Sequence, residues 1–477
     1  MDAGATAALR YVRALVPSLA ALATGLLLFL SDHPLRLWWL QFVAFVPWWL
    51  ALAAHRRTGR HLWPLGAYLA CGYAAPLLFV VGSAPPIVVA ALAAVLQWML
   101  AAMVAGRLFV GGAVLGALGA AGAVTLLEII TWHAVPLFGT AQCFARPLGV
   151  APHVIAFIAW TGVAGLVFVS TAVQALFANA VLAPLPGRRR AAPLLVAAGL
   201  ATAAAGADIA RWNRPLGEPL RVAAYGYGED DPFAEHGALA LLDKVIGEAK
   251  AAGAQLVVTP ETGFGTGANG AKVAAAVGGL VKKHGLALAI GVWHSETNDN
   301  RIWFFGGDGA LAAEYRKTHL VPWLERYTAG DGTLARGSVG GVPFGGMICQ
   351  DDNFTDLARG YGRDATPLLA VPTNDWAAIR FAHFDNARFR AIENGYAIVR
   401  AASRGISAIV SPRGEVLASC DHTETGRKLI VADVPLGDGS VTMYARLGDW
   451  PMLVLALLVI AIASRRRQPE PAIRHTS

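Results

Sequence analysis

The first 210 residues contain no lysine and only four acids, against 11 arginines. So sparse a charge complement excludes an ordinary soluble surface over that length. Charged residues make up 15% of the 477, hydrophobic residues 55%, and the mean hydropathy is +0.49, which points to several membrane spans. The four cysteines, Cys71, Cys143, Cys349 and Cys420, form no C-x-x-C pair. Neither a zinc site nor a thioredoxin-like motif is therefore indicated, and a disulfide framework does not suit a chain of this size. No histidines stand in an H-E-x-x-H spacing, and no pattern implies a bound metal or cofactor. The formal charge of +7 is unevenly spread. Residues 1–210 carry +7 and the tail from Arg465 carries +3, which leaves −3 for the middle. That basic charge belongs to membrane flanks, and no aromatic-interleaved basic patch argues for nucleic acid.

Apolar segments of about 20 residues suit a bilayer crossing. Seven are expected near Leu15–Leu30, Leu37–Ala54, Leu62–Val81, Ile87–Ala105, Leu108–Ile130, Val154–Leu182 and Pro193–Ala210, and an eighth near Trp450–Ala463. Arg10 and Arg13 ahead of the first apolar run mimic a signal peptide, but no small-residue cleavage site follows, so the run reads as a retained span. The fifth span is rich in small residues, which suits close helix packing in lipid. With eight spans, the clusters Arg10/Arg13, Arg56/Arg57/Arg60, Arg107, Arg188–Arg190 and Arg465–Arg467 all fall on one side. The positive-inside rule makes that side cytoplasmic, so both termini are expected there. The segment between spans seven and eight is then outside, which in a Gram-negative bacterium is the periplasm. Three regions are expected: a membrane domain over 1–210, an extracytoplasmic domain over 211–446, and a last span with a basic tail over 447–477.

The middle region reads differently. All seven lysines lie there. Short apolar runs (LRVAAY, QLVVTP, LALAIGVW, IWFFGG, VPFGGMIC, PLLAVPTN, AIVRAAS, ISAIVS, KLIVADV) alternate with helical patterns over Ala234–Ala252, Ala271–His284 and Phe384–Asn394. That alternation predicts an α/β domain, large enough to bury its own core.

Three stretches place chemistry at strand ends, where α/β folds collect functional residues. VVTPETGFG carries Glu261, EYRKTHLVPWLERY carries Lys317 and Glu325, and GGMICQDDNF carries Cys349. Each has a plain structural reading when taken alone: a loop carboxylate, a solvated lysine, a buried thiol. His319 and His383 read as structural, Cys420 as inert and Cys71 as packing inside a span. Cys143 is left as a free thiol or a partner for Cys420. Glu128, near the outer end of span five, reads as a snorkelling acid. Together, however, the three residue types make sense. A thiol attacks as thiolate, a carboxylate can take its proton, and an ammonium can steady both thiolate and oxyanion.

These stretches, in this order, resemble the nitrilase or carbon–nitrogen hydrolase superfamily. By that resemblance Glu261 falls on the general base, Lys317 on the lysine and Cys349 on the nucleophile, and the fold implied is an αββα sandwich. With spans before and after it, the whole chain resembles the apolipoprotein N-acyltransferase family. YRKTHLVPWLE, PTNDW, RFRAIENGYAIVRAASRGISAIVSPRG and YARLGDWP carry that likeness. The resemblance puts Glu325 on a second important glutamate. It implies transfer of an acyl chain from a phospholipid, through a cysteine thioester, to the α-amino group of a lipoprotein's N-terminal lipid-modified cysteine. The backbone N–H of Gln350 would join Lys317 at the oxyanion, and Trp323 and Tyr327 would belong to an interfacial lid. The chain departs from the pattern in four places. Gln350-Asp351 replaces an aromatic-Glu pair, although Asp351 keeps the carboxylate. AAYGYGEDD stands for a Gln-x-Asn turn, Ser403-Arg404 for Asn-Thr, and HAVPLFG for a Phe-Pro-Trp type of loop.

The expectation is a membrane-embedded acyltransferase with phospholipid donor and lipoprotein acceptor. Three alternatives stay open: a membrane-tethered amidase using the same triad with water, an acyltransferase with another amine acceptor, and a non-catalytic assembly or transport subunit that keeps the fold.

Overall fold

The computed structural model describes every residue except 1–2, 33–34, 83, 110–112, 136–138, 184–187, 231–237 and 466–477. Among the described residues, six helices are long and apolar enough to cross a membrane: α1 (Ala3–Asp32), α3 (Trp63–Val81), α4 (Pro85–Leu108), α5 (Val114–Ala134), α6 (Ile158–Leu182) and α7 (Arg188–Trp212). The chain is a multi-pass membrane protein. The second expected span takes another form. Trp38–Phe42 makes a 3-10 turn, and α2 covers only Val46–Arg57, with proline in its first turn. At 1.5 Å per residue α2 is about 18 Å long, short of the roughly 30 Å hydrocarbon core. The apolar run contained the right composition, but two of its tryptophans, Trp48 and Trp49, pack inward and are fully buried. The last helix, α12 (Trp450–Arg465), is also shorter than the six.

Small residues on α5 do what their size allows. A Cβ on Gly119 would sit 2.5 Å from Ala463, and one on Gly122 2.5 Å from Val459, so α12 lies directly on the glycine face of α5. Glu128 does not snorkel. It is buried in the same helix and accepts a hydrogen bond from Gln97 on α4 at 3.0 Å. Cys71 lies on the exposed face of α3 rather than in packing, while Cys143 and Cys420 are buried in different cores and unpaired.

The middle region is a two-sheet sandwich with helices outside each sheet. One sheet runs β13 (Lys428–Pro435), β1 (Pro219–Gly226), β2 (Leu256–Val258), β4 (Ala287–His294), β5 (Asp299–Phe305), β6 (Leu311–Arg316), with β3 (Phe264–Gly265) beside β4. The other runs β12 (Val416–Asp421), β11 (Ile406–Val410), β10 (Ala397–Ser403), β9 (Leu368–Asn374), β8 (Val342–Gly346), β7 (Arg336–Val339). Period-two alternation sorts the side chains. Leu220, Val222 and Ala224 of β1 face the interior between the sheets, whereas Ala223 and Tyr225 pack under α8 (Ala238–Ala251) and α9 (Gly270–His284).

Helices α10 (Thr355–Arg363) and α11 (Arg380–Asn394) cover the second sheet. From Ala382 to Asn394 every residue of α11 is buried. Phe384, Ala387 and Ala391 join the sandwich core, and Phe389 and Ile392 join the membrane-helix core. A helix apolar on two faces is the seam between the layers. Polar contacts reinforce it. Arg36 Nη2 donates to both carboxylate oxygens of Asp385, at 2.8 and 3.0 Å. Glu393 accepts from the N–H of Val163, freed where α6 breaks at left-handed Gly162.

Candidate active site

Glu261 follows β2, Lys317 follows β6 and Cys349 follows β8, so three strand ends aim at one place. Glu261 is buried and accepts three hydrogen bonds. Its Oε1 takes Asn300 Nδ2 at 2.6 Å and Lys317 Nζ at 2.8 Å, and its Oε2 takes the main-chain N–H of Asn374 at 2.8 Å. Lys317 also donates to Glu325 Oε1 at 2.6 Å, and Glu325 Oε2 caps the N–H of Val321 at 2.7 Å. The Lys317 side chain has no exposed surface. The thiol of Cys349 lies 3.8 Å from the carbonyl oxygen of Asn374. Asn374, at the end of β9, therefore touches the carboxylate through its N–H and the thiol through its C=O.

Cys349 has a φ of +47°, left-handed for a non-glycine residue. Such a conformation costs about 1–3 kcal/mol and persists only where its surroundings over-determine it. Asp351 supplies part of that constraint. Fully buried, it accepts from the main-chain N–H groups of Thr318 (3.2 Å), His319 (2.7 Å) and Ile348 (3.1 Å), and from the hydroxyl of Tyr315 (2.8 Å). Its carboxylate ties the lysine strand end to the cysteine turn. Gln350 is buried, with Oε1 accepting from Asn353 Nδ2 at 3.0 Å. The two expected lid aromatics separate. Trp323 is 57% exposed, with a φ of +64°, whereas Tyr327 is half-buried. Burial and the nearby Glu261 and Glu325 raise the Tyr327 hydroxyl pKa.

The charges around the thiol compete. Burial pushes the Cys349 pKa well above the ordinary thiol value, and the Glu261 charge pushes it further, against the opposing pull of Lys317. Burial alone would lower the Lys317 pKa, but Glu261, Cys349 and Glu325 outweigh it and hold the amine as ammonium. Glu325 is raised by burial and by Glu261. The resting site thus holds a thiol beside a carboxylate and an ammonium, an arrangement that needs proton transfer before attack.

A second polar layer, under the cysteine, was not singled out by sequence reasoning. His383, on α11, places Nδ1 2.6 Å from Asp375 and Nε2 3.1 Å from Asp352 and 3.2 Å from the Cys349 carbonyl oxygen. Arg400 donates to Asp375 at 2.8 Å. Burial opposes charge on the ring, but Asp352 and Asp375 raise the His383 pKa to about 10. His383, which reads as structural in the sequence, bears on the backbone of the cysteine itself. Cys349, Asp375 and His383 offer ligand atoms within 4.8 Å of one another. With both ring nitrogens engaged by carboxylates, the imidazolium has no lone pair for a cation or for the thiol proton. The available signal was PTNDW: three polar residues, Thr373, Asn374 and Asp375, at the close of an apolar strand.

The carbon–nitrogen hydrolase family model matches residues 221–444, the two-sheet region with all three strand ends. An apolipoprotein N-acyltransferase from Ralstonia nicotianae is 30% identical over 462 residues, covering 88% of this chain and 82% of the relative. The chain belongs to the apolipoprotein N-acyltransferase family. A second apolipoprotein N-acyltransferase, from Methylococcus capsulatus, is 25% identical over 64% of this chain and 66% of the relative. The match to the apolipoprotein N-acyltransferase of Bradyrhizobium diazoefficiens is 31% identical and spans only 35% of each chain. Among solved structures, an amidase from Nesterenkonia sp. AN1 aligns with a TM-score of 0.43 at 24% identity, over 50% of this chain and 97% of that one.

Proposed function

We propose that this protein moves a fatty acyl chain from a phospholipid, through a thioester on Cys349, to the α-amino group of a lipoprotein's N-terminal diacylglyceryl-cysteine. Glu261 takes the thiol proton as sulfur attacks the ester carbonyl. Lys317 and the main-chain N–H of Gln350 hold the oxyanion, a role in which preorganised donors count for most. Collapse expels the lysophospholipid alkoxide, which takes the proton from Glu261. The acceptor amine then attacks the thioester and gives a proton to Glu261, which returns it to the departing thiolate. Residues 211–446 form the catalytic domain on the periplasmic face of the bacterial inner membrane, and the arginine clusters of 1–210 and 447–477 lie in the cytoplasm.

One observation supports this reading most: a fully buried ammonium shared by two glutamates, Glu261 and Glu325, beside a thiol on a strained turn. Family membership supports the choice of acyl transfer, and α11, set on the membrane helices, suits a lipid donor. The test uses proteoliposomes with acyl-labelled phospholipid and a diacylglyceryl-cysteine peptide. Label should appear in amide linkage on the peptide. Release of labelled free acid at the same rate with and without peptide, and no amide product, would instead mark a hydrolase.

A further inference from the structure

The turn Cys349–Asn353 is held by its carbonyl oxygens. That of Cys349 faces His383, and that of Asp352 accepts from Asn386 Nδ2 at 3.1 Å; both donors are on α11. The carbonyl of Asn353 is gripped from the other side. Thr140 Oγ1, in the segment that follows α5, lies 3.0 Å from Asn353 O and 3.0 Å from Asn386 Oδ1, so its one proton faces both acceptors. Asn386 Nδ2 also reaches Asn353 Oδ1 at 2.7 Å, and Asn353 Nδ2 reaches Gln350 Oε1 at 3.0 Å. Thr140, Asn353 and Asn386 are all buried. Gly139 permits the approach. It is left-handed, with a φ of +51°, and a Cβ on it would lie 2.2 Å from Asn353 O. A continuous set of buried hydrogen bonds thus runs from the membrane domain through Asn386 and Asn353 to Gln350, next to the thiol.

We propose that Thr140 is a positioning residue for Cys349: the membrane domain completes the cysteine turn, and the site is correctly shaped only when the two domains are docked. The inference rests on reading Cys349 as the nucleophile. A buried, strained turn needs its carbonyls satisfied to stay strained. The sandwich supplies two of these three grips, and the membrane domain supplies the third.

The test compares Thr140→Val, which keeps the shape and removes the proton, with Thr140→Ser, which keeps the proton. Full-length protein in phospholipid nanodiscs is assayed for kcat and KM of thioester formation, and for peptide-resolved iodoacetamide labelling of Cys349. Thr140→Val should lower kcat and the labelling rate about five- to tenfold, the scale of one lost buried hydrogen bond. KM for phospholipid should stay within about twofold, and Thr140→Ser should restore both rates to within about twofold of wild type. Should Thr140→Val not accumulate, Thr140→Ala is read in the same way. Labelling and kcat at wild-type rates in the variant lacking the proton, or Thr140→Ser as impaired as Thr140→Val, would overturn the proposal. Labelling needs no acyl donor. A wild type that labels normally but forms no thioester would count against the acyltransferase reading alone, and the labelling ratio would still judge Thr140.

Discussion

Lys317 donates to Glu261 across 2.8 Å with its side chain wholly buried, and the same nitrogen reaches Glu325 at 2.6 Å. Two carboxylates on one ammonium leave a net negative charge beside the thiol. Burial first, and then the Glu261 charge, raise the Cys349 pKa, so a base must act in step with attack. Glu325 spans two partners: one of its oxygens accepts from Lys317, while the other accepts from the Val321 N–H.

Glu325→Gln preserves an acceptor for the Val321 N–H and removes one of the two negative charges that face Lys317. Hydrogen bonds to charged groups are worth about 1.5–3 kcal/mol, so kcat should fall roughly 10- to 100-fold with the fold intact. Steady-state acyl transfer, with circular dichroism as the control, checks this. A change confined to KM would assign Glu325 to donor binding instead.

Asp351 has the opposite character. All of its partners are donors from the protein's own framework, so its substitution should damage the fold before the chemistry. In Asp351→Asn one oxygen becomes an NH2 facing N–H or O–H groups, which should cost about 1–3 kcal/mol of stability. A thermal midpoint lower than wild type is expected, together with slower Cys349 labelling. An unchanged midpoint would count against the clamp.

The thiol's raised pKa predicts its own titration. Alkylation of Cys349 by iodoacetamide should still be climbing at pH 9, where an ordinary thiol has begun to level off. Glu261→Gln removes the negative charge that helps raise the pKa and leaves the Lys317 pull less opposed. Labelling at pH 8 should therefore become faster in that variant while acyl transfer collapses. Slower labelling in Glu261→Gln would mean that the carboxylate activates the resting thiol rather than acting during attack.

The His383–Asp375 pair predicts a stability profile. His383 rises from 6.5 to about 10 on folding, so its contribution is complete below pH 6.5 and lost as pH climbs through 10. For Asp375, burial opposes ionisation, but Arg400 and His383 lower its pKa from 3.8 to about 2. Its contribution is complete above pH 4 and lost as pH falls through 2. Urea unfolding of the detergent-solubilised protein should show a stability advantage over Asp375→Asn that is widest between about pH 4 and 6.5 and narrows on both sides. A difference that stayed constant well above pH 6.5 and well below pH 4 would contradict the pairing.

Much of the fold was legible because it follows periodicity. Most of the apolar runs read as strands are interior strands, such as β1, β4, β9 and β10; KLIVADV, also read, is the edge strand β13. The missed ones include β6, β7 and β12, at sheet edges. LAAEYR in β6 and VLASCD in β12 bury few of their residues, so no apolar stripe marks them. The second span misled because a Trp-rich apolar stretch satisfies hydropathy whether its side chains face lipid or, like Trp48 and Trp49, the protein core. At the site, Glu261 and Cys349 were found at the ends of apolar runs, and Lys317 through the resemblance of YRKTHLVPWLE, since β6 before it carries no apolar stripe. Asn374 was not, because it acts through its main chain. Thr140 was not, because its partners Asn353 and Asn386 lie more than 200 positions away.

The central claim is that Cys349 carries the acyl chain, and the most direct measurement is the intact mass of the purified protein after incubation with phospholipid and no acceptor. A gain of one fatty acyl group is predicted, removed by hydroxylamine and absent in Cys349→Ala. An unchanged mass with folded protein and intact lipid, or an adduct that persists in Cys349→Ala, would contradict it.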